Sequence, residues 1–174
     1  MAVLTREDVL KEIQGGAIRI DPFHEDQVGP GSIDLRLGNE FRVFKKLRNA
    51  LVVEENISLE DLTERVVVED SFTLMPGETV LGITQERIRL PSNICGWLEG
   101  RSRFARIGLV IHMTASFVQP GVDNRQVLEI GKDRLSVAPG DRRANDAFGV
   151  RKRARARSRS KPGILLHLPP SWSG

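Results

Sequence analysis

Residues 31–44 read Gly-Ser-Ile-Asp-Leu-Arg-Leu-Gly-Asn-Glu-Phe-Arg-Val-Phe. Ile33, Leu35 and Leu37 alternate with Asp34 and Arg36, and Phe41 and Val43 alternate with Glu40 and Arg42. A period of two sends successive side chains to opposite faces, so this stretch predicts half-buried strand. The same pattern recurs in both directions. Ile18 and Ile20 precede it, and strand-like runs follow at 66–69, 71–75, 79–84, 87–90, 94–99, 109–114 and 126–130. Pro76-Gly77, Pro91-Ser92-Asn93 and Pro120-Gly121 punctuate these runs as turns. Many short strands with turn signals between them predict an all-β fold, a distorted barrel or jelly roll. One short helix precedes the strands. Thr5 is its N-cap, Asp8 stands three residues later in a capping-box position, Val9, Leu10 and Ile13 form the apolar stripe, and Gly15-Gly16 stop it. Residues 58–64 read as a short helix or a loop excursion. Strands and helices do not alternate, which argues against a doubly wound parallel sheet.

The 174 residues suit one domain with its own core. Hydrophobic residues at 40% and charged residues at 28% are the balance of a soluble protein, and no apolar run approaches the 18 or so residues of a helical membrane span. The start lacks the apolar core of a signal peptide, so a cytoplasmic location is expected and no membrane partner. Cys95 has no cysteine to pair with and reads as a small buried hydrophobe; His24, His112 and His167 are scattered, without metal-ligand spacing. The net charge of +3 hides a division: residues 142–174 hold nine Lys or Arg against Asp146 alone, leaving 17 basic and 22 acidic side chains in the first 141. The basic pI therefore belongs to the end of the chain. Residues 1–142 are read as the β domain and 143–174 as an Arg/Ala/Ser-rich low-complexity tail expected to be disordered. Without interleaved aromatics, the arginines at 151–159 do not predict specific nucleic-acid binding.

The densest chemistry lies at 99–109, Glu-Gly-Arg-Ser-Arg-Phe-Ala-Arg-Ile-Gly-Leu. Arginine forks bind phosphate oxygens, glycine lets a backbone approach an anion, and Ser102 adds a hydroxyl. Spacing alone leaves a phosphate loop and a solvated charged turn both open. Glu129 interrupts the apolar run Val127-Leu128-Glu129-Ile130 and shares a face with Val127. If that face lines a pocket, the carboxylate suits a general base; otherwise it is an outward acid on a half-exposed strand. His112, alone in a strand-like run, reads first as a structural residue.

Taken together, GRSRFARIGL at 100–109, HMTASFVQPG at 112–121 and VLEI at 127–130 resemble the signature of dCTP deaminases, in the trimeric dUTPase-like superfamily. The SIDLRLG element at 32–38, Pro76-Gly77-Glu78 and Leu90-Pro91 follow the same pattern in the same order. The resemblance implies a dUTPase-like distorted barrel, assembled as a homotrimer with active sites between subunits. It implies hydrolytic deamination of dCTP to dUTP and ammonia, with Glu129 as general base and Ser102 and Arg106 holding the water and the amine end. Arg101, Ser102, Arg103, Phe104, Ala105 and Arg106 would form the triphosphate loop, His112 and Ala115 would line the base pocket, and Gln119, Val127 and Leu128 would contact the nucleotide. Mg²⁺ would ride on the triphosphate. Zinc deaminases need a His/Cys ligand set that a chain with one cysteine cannot supply, so the route implied is metal-free at the reacting carbon.

This sequence departs from the family pattern at Arg103, where many relatives carry a second small hydroxyl residue, at Gln119, where Asp commonly precedes Pro-Gly, and throughout the segment after Arg142. A shifted reading frame in GC-rich DNA produces such an Arg/Ala/Ser-rich terminus, and translating the coding DNA in its other two frames tests that origin. Two alternatives accompany the main expectation: a dUTP diphosphatase or bifunctional deaminase, and a nucleotide-binding barrel impaired by its altered terminus.

Overall fold

The computed structural model describes residues 3–47, 50–52, 55–69, 71–133, 148–151 and 163–167. The chain opens on α1 (Arg6–Gln14), where the expected capping box is complete: Asp8 N–H donates to the Thr5 hydroxyl and Thr5 N–H to the Asp8 carboxylate. The Thr5 hydroxyl, donating to Asp8 Oδ2 at 2.6 Å, and then the Thr5 N–H hold the Asp8 carboxyl below its ordinary range. Val9 is the buried residue of the helix, and Leu10 and Ile13 pack beside it.

Strands follow: β1 (Arg19–Asp21), β2 (Ile33–Phe44), β3 (Thr63–Val67) after the single turn α2 (Leu59–Leu62), β4 (Ser71–Leu74), β5 (Thr79–Arg89) and β6 (Gly96–Gly100). After the turn α3 (Ser102–Ala105) come β7 (Leu109–Ile111), β8 (Phe117–Val118), β9 (Asp123–Lys132), β10 (Phe148–Arg151) and β11 (Gly163–His167). All described pairings are antiparallel. The main sheet runs β7-β9-β5-β2-β11-β6-β8, with β1 on β5 and β3 on β2, and β10 pairs β4 separately. The all-β class is as the alternation predicts. The sheets do not close into a barrel among the described residues, because the terminal strands β7 and β8 are three and two residues long and share no ladder.

β2 changes partners along its length. Ile33–Arg36 bond to β11, while Leu37 and Phe41–Val43 bond to β5. The register slips between Leu37 and Phe41, where Gly38 passes so close to β5 that an added Cβ would lie 2.8 Å from the Ile83 carbonyl oxygen. An irregularity of this kind bends the strand between its two partners. The runs at 79–84 and 87–90 are a single strand, β5, with every even residue from Val80 to Leu90 buried. Two of those even positions are Thr84 and Glu86. The Glu86 carboxylate is fully buried and accepts from Arg36 Nε at 2.6 Å, Arg36 N–H at 2.8 Å and Gln27 Nε2 at 3.0 Å. Thr84 donates to the Glu86 carbonyl and accepts from Gln126 N–H. Ile18, Ile33, Leu35, Ile88, Leu90 and Leu128 form the driest part of the core around this network.

The domain boundary read at 142 lies outside the described residues, as do most of 143–174; within that span, 148–151 and 163–167 are strands. β11 lies between β2 and β6, with Leu165 opposite both Asp34 and Glu99.

Candidate functional site

Gly100 ends β6 against Ile111 of β7, its would-be Cβ only 3.3 Å from the Ile111 Cβ. Any Cβ here would require Ile111 to give by a few tenths of an ångström. The chain then makes one tight turn. The Arg101 carbonyl accepts from Phe104 and Ala105, Arg106 N–H donates to Ser102, and Gly108 takes φ 76° to re-enter as β7. Lys132 Nζ donates to the Ile107 carbonyl and Asp133 N–H to that of Gly108, which ties the turn to the end of β9.

Within this loop Phe104 packs on the core, and the Arg103 guanidinium lies 4.8 Å above its ring. Ser102, Ala105 and Arg106 are exposed. Arg101 is partly buried, its Nη1 held 2.9 Å from Asp34 Oδ2. Three arginines thus share one turn, with Asp34 of β2 beside the first.

The second half of the site begins where β7 stops. The run read as strand through Thr114 ends at Ile111, because His112 adopts φ 56°, a left-handed conformation uncommon for a side-chain-bearing residue. His112 N–H donates to the Glu129 carbonyl at 2.8 Å. The turn then aims two further N–H groups at the Glu129 side chain: Met113 and Thr114 donate to Oε2 at 3.1 and 3.0 Å. The Thr114 hydroxyl lies 3.1 Å from each carboxylate oxygen. One hydroxyl proton serves one of them, so Oε1 keeps acceptor capacity while Oε2 is occupied by backbone.

Both His112 ring nitrogens are buried, and burial holds the imidazole below its ordinary value, against the opposing pull of the Glu129 charge and of the Val127 backbone. Burial thus favours the neutral form of the His112 ring.

Alternation places the remaining candidates. Val127 is 53% exposed on the Glu129 face, whereas Leu128 is fully buried in the core, so only its backbone faces outward. Ala115 and Gln119 are exposed in the segment that leads through β8 to β9. The structure thus joins Glu129 to 112–114 directly and brings the start of the 101–106 loop beside Ile111, next to His112. Sequence reasoning missed Asp34, whose only local signal is its outward position on an alternating strand, and the Met113 and Thr114 N–H groups, which carry no side-chain signature.

A family model described as dCTP deaminase-like matches residues 3–143. The chain is 42% identical over 130 residues to a "dCTP deaminase, dUMP-forming" of a Parafrankia species, covering 74% of this chain and 64% of that protein. It is 38% identical over 149 residues to a protein of the same description from Methanosphaera stadtmanae, covering 82% of this chain and 76% of that one. It is also 40% identical over 151 residues to a "dCTP deaminase" of a Marinomonas species, covering 79% and 77%. Among solved structures, the 2'-deoxycytidine 5'-triphosphate deaminase of Agrobacterium tumefaciens superposes with a TM-score of 0.66 at 16% identity, over 98% of this chain and 48% of that one. That similarity concerns the fold.

Proposed function

This chain belongs to the dCTP deaminase-like family, and from that premise we propose that it deaminates dCTP hydrolytically, releasing dUTP and ammonia. The observation that carries the proposal is the seat of Glu129. Backbone donors fix one carboxylate oxygen, and the other keeps capacity to accept from a water. Glu129 takes a proton from that water as its oxygen attacks C4 of cytosine, and a proton passes to the amine as the C4–N bond breaks. One carboxylate held in place performs both transfers in turn. Ser102 and Arg106 are the groups assigned to the water and the amine end. The 101–106 loop takes the triphosphate, its arginines matching the phosphate oxygens. Magnesium enters with the triphosphate, as part of the substrate. The backbone at 112–115 faces the base, with Gln119, Val127 and the Leu128 backbone toward the nucleotide.

Self-association completes the reading. Ile107, Val110, Met113, Phe117 and Val127 are between 38% and 53% exposed around the site, and exposed apolar surface of this kind marks a contact with another subunit. A homotrimer with sites at its interfaces accounts for it, and a cytoplasmic location suits a soluble nucleotide enzyme.

A second reading, onward hydrolysis to dUMP, is favoured by the names of the Parafrankia and Methanosphaera relatives. The test is incubation with dCTP and Mg²⁺, resolving dUTP, dUMP and ammonia, with Glu129→Gln as control. Ammonia that disappears with the Gln variant supports Glu129 as base, and dUMP formed in step with ammonia supports the second reading. Absence of ammonia from soluble wild-type protein would refute both.

A further inference from the structure

Arg101 opens the 101–106 loop, and its side chain meets Asp34 of β2. β11 separates β2 from β6, with Leu165 opposite Asp34 on one side and Glu99 on the other. Two ladder spacings put β2 and β6 about 9.5 Å apart, a gap that a long side chain spans and a short one does not. Arg101, the first residue after β6, reaches back across β11, and its Nη1 meets Asp34 Oδ2 at 2.9 Å. Both side chains are about two-thirds shielded, at 32% and 28% exposure. Water therefore competes less for this pair than for a surface pair such as Arg87–Asp123, whose side chains are 58% and 48% exposed.

Arg101 is also the N-cap residue of α3, and its carbonyl accepts the Phe104 and Ala105 N–H groups. Fixing its side chain fixes the origin of the turn that carries Ser102 and ends at Arg106. We propose that Asp34 is a positioning residue: through Arg101 it sets the placement of the 101–106 loop against the site, without itself touching substrate. This deepens the deaminase reading and rests on it for its kinetic consequence.

Two effects oppose each other when the carboxylate is removed. Arg101 loses its ion pair with Asp34, which misplaces Ser102 and Arg106. A negative charge near the triphosphate also disappears, which favours binding. The loss therefore falls on the chemical step: Asp34→Asn lowers kcat about tenfold and leaves KM for dCTP within about threefold, since small misplacements of reacting groups act on the barrier.

The experiment combines kinetics with a probe that does not depend on turnover. Side-chain NMR of ¹⁵N-arginine-labelled full-length protein should show an ordered Arg101 Nε–H in the wild type that becomes averaged in Asp34→Asn. Asp34→Glu, which keeps the charge, should restore most of kcat. In an Arg101→Gln background, Asp34→Asn should add no further loss, because the residue acts through Arg101. An averaged Arg101 signal in the wild type overturns the proposal whatever the enzyme's activity. Additive losses in the double variant, or parallel changes in kcat and KM, overturn it as well, since they would mean a merely structural role. A wild type without ammonia release refutes the deaminase reading instead, and the NMR comparison still decides whether Asp34 holds Arg101.

Discussion

Replacing Glu86 by Ala removes the acceptor from three donors at once: Arg36 Nε, Arg36 N–H and Gln27 Nε2. Glu86 is fully buried, Gln27 is 3% exposed, and Arg36 already carries an Nη2 without a partner among the described residues. Each stranded buried donor costs about 1–3 kcal/mol. Arg36 is 22% exposed, so water recovers part of that cost. The total falls at about 3–5 kcal/mol, the range for breaking one side of a buried ion pair. For a domain of this size that lowers Tm by roughly 6–20 °C. Glu86→Gln should be milder, at about 1–3 kcal/mol, because its carbonyl still accepts from Arg36 Nε while its amide opposes one of the remaining donors. Urea unfolding followed by circular dichroism, with Arg36→Leu and the double variant completing a cycle, measures this. A Glu86→Ala loss below about 1 kcal/mol, or strict additivity with Arg36→Leu, would show that Glu86 is not an anchor of the fold.

Three further outcomes are expected. Gly38→Ala sets a Cβ 2.8 Å from the Ile83 carbonyl, which belongs to a backbone that cannot swing aside, and should cost about 1–3 kcal/mol in denaturant titration; an unchanged midpoint would count against the close approach. His112 is held below its ordinary value by burial, so on acidification the unfolded chain takes up the proton first. Stability contributed by the neutral ring is present above the unfolded-state value near 6.5 and is lost as pH falls below it; Tm between pH 8 and 5 should drop more steeply for the wild type than for His112→Asn, and equal slopes would rule this out. Removing residues 152–174 deletes β11, which exposes facing edges of β2 and β6; the truncated protein should melt earlier and scatter light on standing, whereas an unaltered Tm would mean that β11 contributes nothing.

Where the signal was local, the sequence disclosed the structure. Thr5 and Asp8 lie three residues apart and cap α1 by themselves, and the alternation at Val127–Ile130 put Glu129 with Val127 on one face and Leu128 with Ile130 on the other, as in β9. The polar pair Thr84 and Glu86 sits on the buried face of β5 and makes one strand look like two, because the partner that justifies burying Glu86 is Arg36, 50 positions away. The end of β7 at His112 was equally hidden, since a left-handed residue that is not glycine leaves no mark in composition. In the site, the resemblance named Glu129 and the arginine loop, but nothing local identified Asp34 as a partner of Arg101. β11 falls within the 143–174 stretch read as a tail, whose composition gave no sign of a strand.

The placement of β11 also sets an order of events during synthesis. β2 and β6 leave the ribosome early, but the strand that lies between them is encoded about 60 residues after Gly100. At about 5–20 residues per second, roughly 3–12 s pass before it is made. Throughout that interval the nascent chain carries two unpaired edges that its own later residues must occupy. Expression yield should therefore respond to translation speed and temperature more than the stability of the finished protein would suggest.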